Sequence, residues 1–409
     1  MAAVGTFRSL EVPAFRTWAL GAVVSNVGTW MQRTAQDWLV LAQLTDRSAT
    51  AVGVVMALQF GPQVLFLPIT GFVADHVDRR KLLLVTQAAL GLLALGLGVL
   101  TIGGWVRLWQ VDVFAFLLGC VTAFDAPTRQ SFVSDLVGEA DLPNAVALNS
   151  TSFNAARLIG PAVAGVLIGK IGTGWVFVVN GLSFVAVIAS LVRLRALRSS
   201  SRASRTRGSL FEGFRYVWQR PDIRTVLFML LIVGTFGLNF PIFISTMAVG
   251  PFGKGAGQFG LLTSIMAVGS VLGALLAARR TRPRVPLLVF GAAAFGVATG
   301  LAAVAPSFVT FALVLVAVGV SAQTFTTTTN SYVQTSTVPV MRGRVIAILL
   351  AITLGGTPLG APVIGGIADT FGPRWAMGAG AMAGLIAALV GALARTNEVG
   401  TLARTNEKE

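Results

Sequence analysis

The chain has 409 residues, 55% hydrophobic and only 11% charged, with 46 Gly, 16 Pro and a mean hydropathy of +0.78. Spread over about a dozen apolar stretches, each able to cross a ~30 Å hydrocarbon core, this composition excludes a water-soluble globular domain and leaves no room for an appended catalytic one. The net charge of +15 and pI near 11.6 do not mark a nucleic-acid binder, because the basic residues are strung between the apolar stretches and are not gathered on one reading face.

In chain order the predicted spans are 15–42, 50–74, 81–103, 108–130, 144–169, 173–194, 223–249, 256–278, 285–305, 307–332, 343–368 and 374–394. The first carries Asn26, Gln32, Arg33, Gln36 and Asp37, is too long and too polar for a cleavable signal peptide, and stays as the first helix. Cys120, the single cysteine, sits in an apolar run as a small packing residue, and His76, the single histidine, in a charged loop. Neither composes a metal site, so no metal and no cofactor is expected. Residues 195–222 form the one cytoplasmic linker: a Ser and Arg run, then LFEGFRYVWQR, whose Leu210, Phe211, Phe214, Val217 and Trp218 recur at the spacing of an interfacial amphipathic helix. The linker divides a six-helix bundle over 1–194 from a second over 223–394. The tail, 395–409, contains the second of two LARTNE copies and is assigned no function.

With both termini placed in the cytoplasm, most of the 31 Lys and Arg fall in the cytoplasmic loops. The opposite side holds Arg47, Arg107, Lys170, Lys254 and Arg374, and only Arg33 and Arg157 lie inside spans. This asymmetry is what the positive-inside rule asks of an even number of helices with both ends inside, and it sets the basic loops against anionic lipid headgroups. The halves are weakly alike, with Gly71 answering Gly273, and Pro161 and Gly165 answering Pro362 and Gly366. Internal six-helix repeats are a mark of secondary transporters.

The most specific local pattern is Gly71-Phe-Val-Ala-Asp75-His-Val-Asp78-Arg79-Arg80-Lys81, between the second and third spans. It resembles the signature loop of the major facilitator superfamily, except that Asp78 stands where Gly is common. The second-half counterpart keeps Gly273 but has Ala277 at the Asp position. Phe124-Asp125-Ala-Pro127-Thr-Arg129-Gln130, Leu142-Pro143-Asn144 through Asn149, Arg157-Leu-Ile-Gly160-Pro161 to Gly165, the GTWMQ at 28–32 and Arg342-Gly-Arg344 narrow the likeness. Together they resemble the exporter branch that contains enterobactin exporters and macrolide-efflux proteins, over nearly the whole chain. The resemblance implies an all-α membrane protein of twelve transmembrane helices in two pseudo-symmetric bundles. It also implies a cytoplasmic gate of Gly71, Asp75, Arg79, Arg80, Asp125 and Arg129, in which Asp125 pairs with Arg79 or Arg129. Arg157, Gly160, Pro161 and Gly165 look like the superfamily's antiporter motif, and a purely structural kink accounts for them equally well.

Charges inside a bilayer cost about 2.5–3.5 kcal/mol at mid-depth on insertion scales, so each one needs a reason. Arg33 and Asp37, spaced i,i+4, can meet on one helix face. Asp37 is the first candidate for proton coupling and Asp112 the second. A static Arg33–Asp37 pair at the outer mouth is the alternative for the former, interfacial placement for the latter. The arginine that many drug and proton antiporters carry early in the fourth helix is replaced by Ala115. A substrate cavity is expected to draw on Asn26, Trp30, Gln32, Gln36, Gln59, Phe60, Asn149, Asn154, Asn239, Phe240, Gln323 and Asn330. Many amides and few charges favour a neutral or weakly charged amphipathic molecule. The TFTTTTN run at 324–330 either lines that cavity or bonds back to its own helix.

The expected function is proton-coupled export of amphipathic organic compounds, drugs or siderophore-like metabolites, by a monomer in a bacterial cytoplasmic membrane. The alternatives are export of a single endogenous lipid or siderophore, and a membrane receptor that transports nothing. No ATP-binding GxxxxGK[ST] is present, and no nucleophile and base can be assembled for an enzyme.

Overall fold

The computed structural model describes residues 6–67, 69, 70, 73, 77–194, 210–278 and 284–406, so Gly71, Asp75, His76 and the Ser and Arg run of the linker lie outside the described residues. Every regular element among the described residues is helical. They are α1 (Pro13–Trp38), α2 (Ala49–Leu65), α3 (Arg79–Ile102), α4 (Leu108–Leu136), α5 (Leu142–Ile171), α6 (Thr173–Arg193), α7 (Leu210–Gln219), α8 (Pro221–Ile232), α9 (Phe240–Val249), α10 (Ala256–Ala278), α11 (Val285–Ala303), α12 (Phe308–Ser336), α13 (Pro339–Phe371) and α14 (Pro373–Asn406). Ten spans, with α8 and α9 counted as one, are long and apolar enough to cross a membrane. The more polar α1 and the shorter α2 bring the crossings to twelve.

Among the described residues, two spans contain π-helical segments. α1 passes into a π-helical segment at Leu39–Leu44, and the single span predicted at 223–249 is broken by another at Val233–Gly237 before α9 resumes. Hydropathy misses that break, because a π turn alters the hydrogen-bond register and leaves the apolar content unchanged. Asn239 repairs part of it by donating its side-chain amide to the carbonyl of Thr235 at 2.7 Å. α14 continues as helix into the second LARTNE copy.

Helix ends follow local chemistry. Pro13, Pro143, Pro221 and Pro339 sit in first turns, where a missing N–H costs nothing. Asp78 has φ −57° and its carboxylate accepts the Lys81 N–H at 3.1 Å, so the position often held by glycine works here as a helix cap. α5 and α13 both stop at a glycine with positive φ, Gly172 at 89° and Gly372 at 100°, a backbone conformation costly for any residue with a Cβ.

The helices form two compact units, one comprising Met1–Ser48, Leu58–Arg205 and Gly253–Ser264, the other Ala49–Ala57, Thr206–Phe252 and Ile265–Glu409. In the first, α1 packs on α5 and α6, and α3 on α6. In the second, the span of α8 and its π segment packs on α13 and α14, and α11 on α14, the same pattern one repeat later. Phe15, Trp18, Leu83, Phe132, Val187 and Leu191 form a core cluster at one end of the first unit. Pro161 of α5 presents its carbonyl to Gly260 of α10 within the first unit, and Ala361 and Pro362 of α13 meet Gly53 of α2 within the second. Neither glycine has room for a Cβ. Large apolar side chains such as Val85, Leu92, Leu182, Phe290 and Leu359 stand exposed on the outer faces, as contact with hydrocarbon requires and water would penalise.

Candidate functional site

Asp125, near the end of α4, is buried at 4% exposure with a full set of donors around its carboxylate. Oδ1 accepts from Thr86 (2.7 Å) and Gln87 (2.6 Å) of α3, and Oδ2 from Arg129 one turn on, at 3.1 and 3.2 Å. Arg129 also donates to Asn26 of α1 at 3.3 Å and lies 5.8 Å over the ring of Trp18. One carboxylate thus ties α1, α3 and α4 together. Arg79 pairs instead with Asp135 at 2.9 Å, and both are largely buried. Arg80 donates to the carbonyls of Leu191 and Val192 at 2.7 and 3.0 Å, satisfying the end of α6.

Two turns along α1 the chemistry changes. Arg33 makes no ion pair with Asp37 within 4 Å. Its guanidinium lies 5.0 Å over Trp30 and 5.6 Å over Phe60. Arg157 of α5 lies 5.6 Å over the same Trp30 ring, and Phe153 meets that ring edge-on at 5.6 Å. Gly160 permits this approach, since a Cβ there would stand 2.6 Å from the Cβ of Trp30. Arg33 interacts electrostatically with both Asp37 and Arg157. A desolvated cation–π contact supplies about 2 kcal/mol, less than the ~2.5–3.5 kcal/mol charged against an arginine at mid-membrane. The ring contacts alone do not balance two such guanidiniums.

A cavity of about 410 Å³ joins these regions. Asn26, Gln32, Arg33, Gln59, Asn149 and Asn154, with Asp125 and Arg129, are in its wall, as are Thr29, Gln63, Phe153 and Asn180, which sequence reasoning did not nominate. Gln63 lies four residues after Gln59 on α2, and Asn180 hydrogen-bonds Gln32, so the first was visible in spacing and the second was not. Trp30 and Gln36 lie outside that lining, Trp30 as the platform for the arginines and Gln36 buried in α1. All lining residues belong to the first unit.

The remaining cavity candidates, Asn239, Phe240, Gln323 and Asn330, lie in the second unit. Asn239 is fully buried at the π break, and Phe240 packs edge-to-face on Phe243 and Phe295 at 6.5 and 6.3 Å. Gln323 donates to Thr327, and Asn330 accepts from Gln334. In the polar run, Thr326 and Thr328 bond back to their own helix, while Thr324 reaches Gly273 of α10 at 3.4 Å. In the first unit, Asp112 keeps Oδ1 buried without a hydrogen-bond partner among the described residues.

A family model described as transmembrane secretion effector, within the major facilitator superfamily, matches residues 4–408. The chain is 25% identical over 351 residues to a staphyloferrin A transporter of Staphylococcus aureus, covering 85% of this chain and 87% of the relative. It is 25% identical over 370 residues to the multidrug efflux pump Tap of Mycolicibacterium fortuitum (86% and 88%), and 24% over 368 residues to the enterobactin exporter EntS of Salmonella typhi (88% and 87%). In fold it is similar to a bacterial homolog of the human lysosomal transporter Spinster, with TM-score 0.72 at 18% identity, covering 96% of this chain and 98% of that one. An all-helical protein of twelve crossings in two pseudo-symmetric bundles, matched along its length by this model, is a multi-pass transporter that belongs to the transmembrane secretion effector family of the major facilitator superfamily.

Proposed function

We propose that this transporter is a secondary active exporter, and not an enzyme, moving amphipathic organic molecules of the drug or siderophore kind out of the cytoplasm by proton antiport and alternating access. The observation that carries the reading is the cavity in the first unit, walled by amides, hydroxyls and one arginine with no ion-pair partner among the described residues, among helices whose outer faces are apolar. Relatives named for staphyloferrin A, enterobactin and multidrug efflux support the substrate class. Asp37 is the proposed proton carrier. One turn from Arg33 and outside ion-pair distance of it, its carboxylate is not locked into a static bridge and can exchange a proton as access alternates. Asp112 is the second candidate.

The test is uptake of a panel of cationic and anionic fluorescent dyes into inside-out vesicles under an imposed pH gradient, with the native chain and Asp37→Asn. Uptake that collapses with the gradient and is lost in the variant is expected. Gradient-driven uptake that survives the substitution moves coupling to Asp112, and no uptake of any dye by the native chain overturns broad export.

A further inference from the structure

The first unit concentrates positive charge and hydrogen-bond donors for which the described residues supply no acceptor. Arg33 and Arg157, from two different helices, stack on the one indole of Trp30 at 5.0 and 5.6 Å. Nε of Arg33 and Nε1 of Trp30 are both buried without a hydrogen-bond partner. Among the described residues neither arginine makes an ion pair, whereas Arg8, Arg79, Arg129, Arg220 and Arg344 all do. The nearby carboxylates do not fill the gap. Asp37 is beyond ion-pair distance, and Asp125 is committed to Thr86, Gln87 and Arg129.

Buried donors without acceptors and two like charges on one ring are destabilising. Inside a membrane such an arrangement marks the place where an occupant supplies the missing groups. Arg33 is in the cavity wall beside Phe153, whose ring packs on Trp30, so a charged end and an apolar face are offered together. The paired N–H groups of a guanidinium match the two oxygens of a carboxylate, and a neutral amphiphile would leave both charges unbalanced.

We propose that Arg33, Arg157 and Trp30 form an oxyanion site that takes the carboxylate of an amphipathic organic acid, so that the exported class is anionic. This rests on the exporter reading above and narrows its substrate from the neutral or weakly charged molecule that the amide content suggested.

The test measures binding of 11-(dansylamino)undecanoic acid and of its methyl ester to the full chain in phosphatidylcholine nanodiscs. The acid is expected to bind about tenfold or more tightly than the ester, the scale of hydrogen bonds to a charged group. Arg33→Gln and Arg157→Gln are each expected to bring the acid down to the ester's affinity, while Arg33→Lys keeps part of the preference. Equal binding of acid and ester by the native chain overturns the site without need of any variant, as does a preference that survives in both Gln variants. Loss of acid binding when phosphatidylglycerol replaces phosphatidylcholine assigns the arginines to a lipid headgroup and also overturns it. Acid preference in nanodiscs with no flux in vesicles keeps the site and removes the exporter reading. Flux without acid preference does the reverse.

Discussion

Asp125 shows how one residue holds three helices. Its carboxylate answers the charge of Arg129 and the donors of Thr86 and Gln87, so removing its charge leaves a guanidinium and an amide facing a group that cannot accept from all of them. Asp125→Asn is expected to destabilise the purified chain by about 3–5 kcal/mol, the cost of breaking a buried pair. Thr86→Val, which removes one donor of several, should cost about 1 kcal/mol. Thermal unfolding of both variants in the same detergent checks the ratio. Of the two partners that the family resemblance implies for Asp125, Arg79 or Arg129, the structure has Arg129, one turn away on the same helix. The Arg79–Asp135 pair was not legible in the sequence, since 56 residues separate the partners and only the packing of α3 on α4 brings them together. For Arg33 the i,i+4 rule pointed to Asp37, yet the side chain lies over Trp30 and Phe60. Spacing states which groups can meet, and neighbouring helices decide which ones do.

At the scale of elements, the linker helix α7 joins two environments. Glu212 pairs with Arg344 of α13 at 2.8 Å, Gly213 lies against the same arginine, and Val217 is buried, while Phe214 and Trp218 stand 58% and 73% exposed, one turn apart. Where α7 hands over to α8, Arg220 grips Asp222 through two hydrogen bonds of 2.9 and 2.8 Å, which hold its guanidinium above the ordinary arginine value, and Tyr332 of α12 donates to the same carboxylate. The helix is thus fixed on one side and leaves an aromatic pair on the other. Brominated lipids are expected to quench Trp218 strongly in a variant whose other tryptophans are replaced by Phe. Quenching no greater than that by aqueous acrylamide would place the pair in water. The amphipathic spacing of LFEGFRYVWQR made α7 readable in advance. The π break at Val233–Gly237 was hidden, because its own five residues are all apolar or small.

Across the whole molecule, charge and aromatic placement describe two different ends. Arg8 bridges to Asp141 at 2.5 Å and the backbone N–H of Ser9 donates to Oδ1 of Asn144 at 3.0 Å, which sets the N-terminal segment beside the loop between α4 and α5. Arg80 closes the end of α6 on that same side. At the opposite ends of the first unit's helices stand the exposed Trp105, Trp109 and Trp175, suited to the membrane–water interface, and in the second unit the Arg374 guanidinium donates to the carbonyls of Ala303 and Ala305. In the first unit the N-terminal segment, the loop between α4 and α5 and the end of α6 therefore share one side, which we propose, on the positive-inside rule, to be the cytoplasmic one. The expectation of orientation rests on loop charge, which a linear sequence displays, and not on packing, which it conceals. In a Cys120→Ala background, Asp46→Cys is expected to react with an impermeant maleimide in intact cells. Glu139→Cys should react only after the membrane is opened, both positions being exposed on the protein surface. The reverse pattern would overturn the proposed orientation, in which the basic face meets the anionic headgroups and the membrane potential that hold it in place.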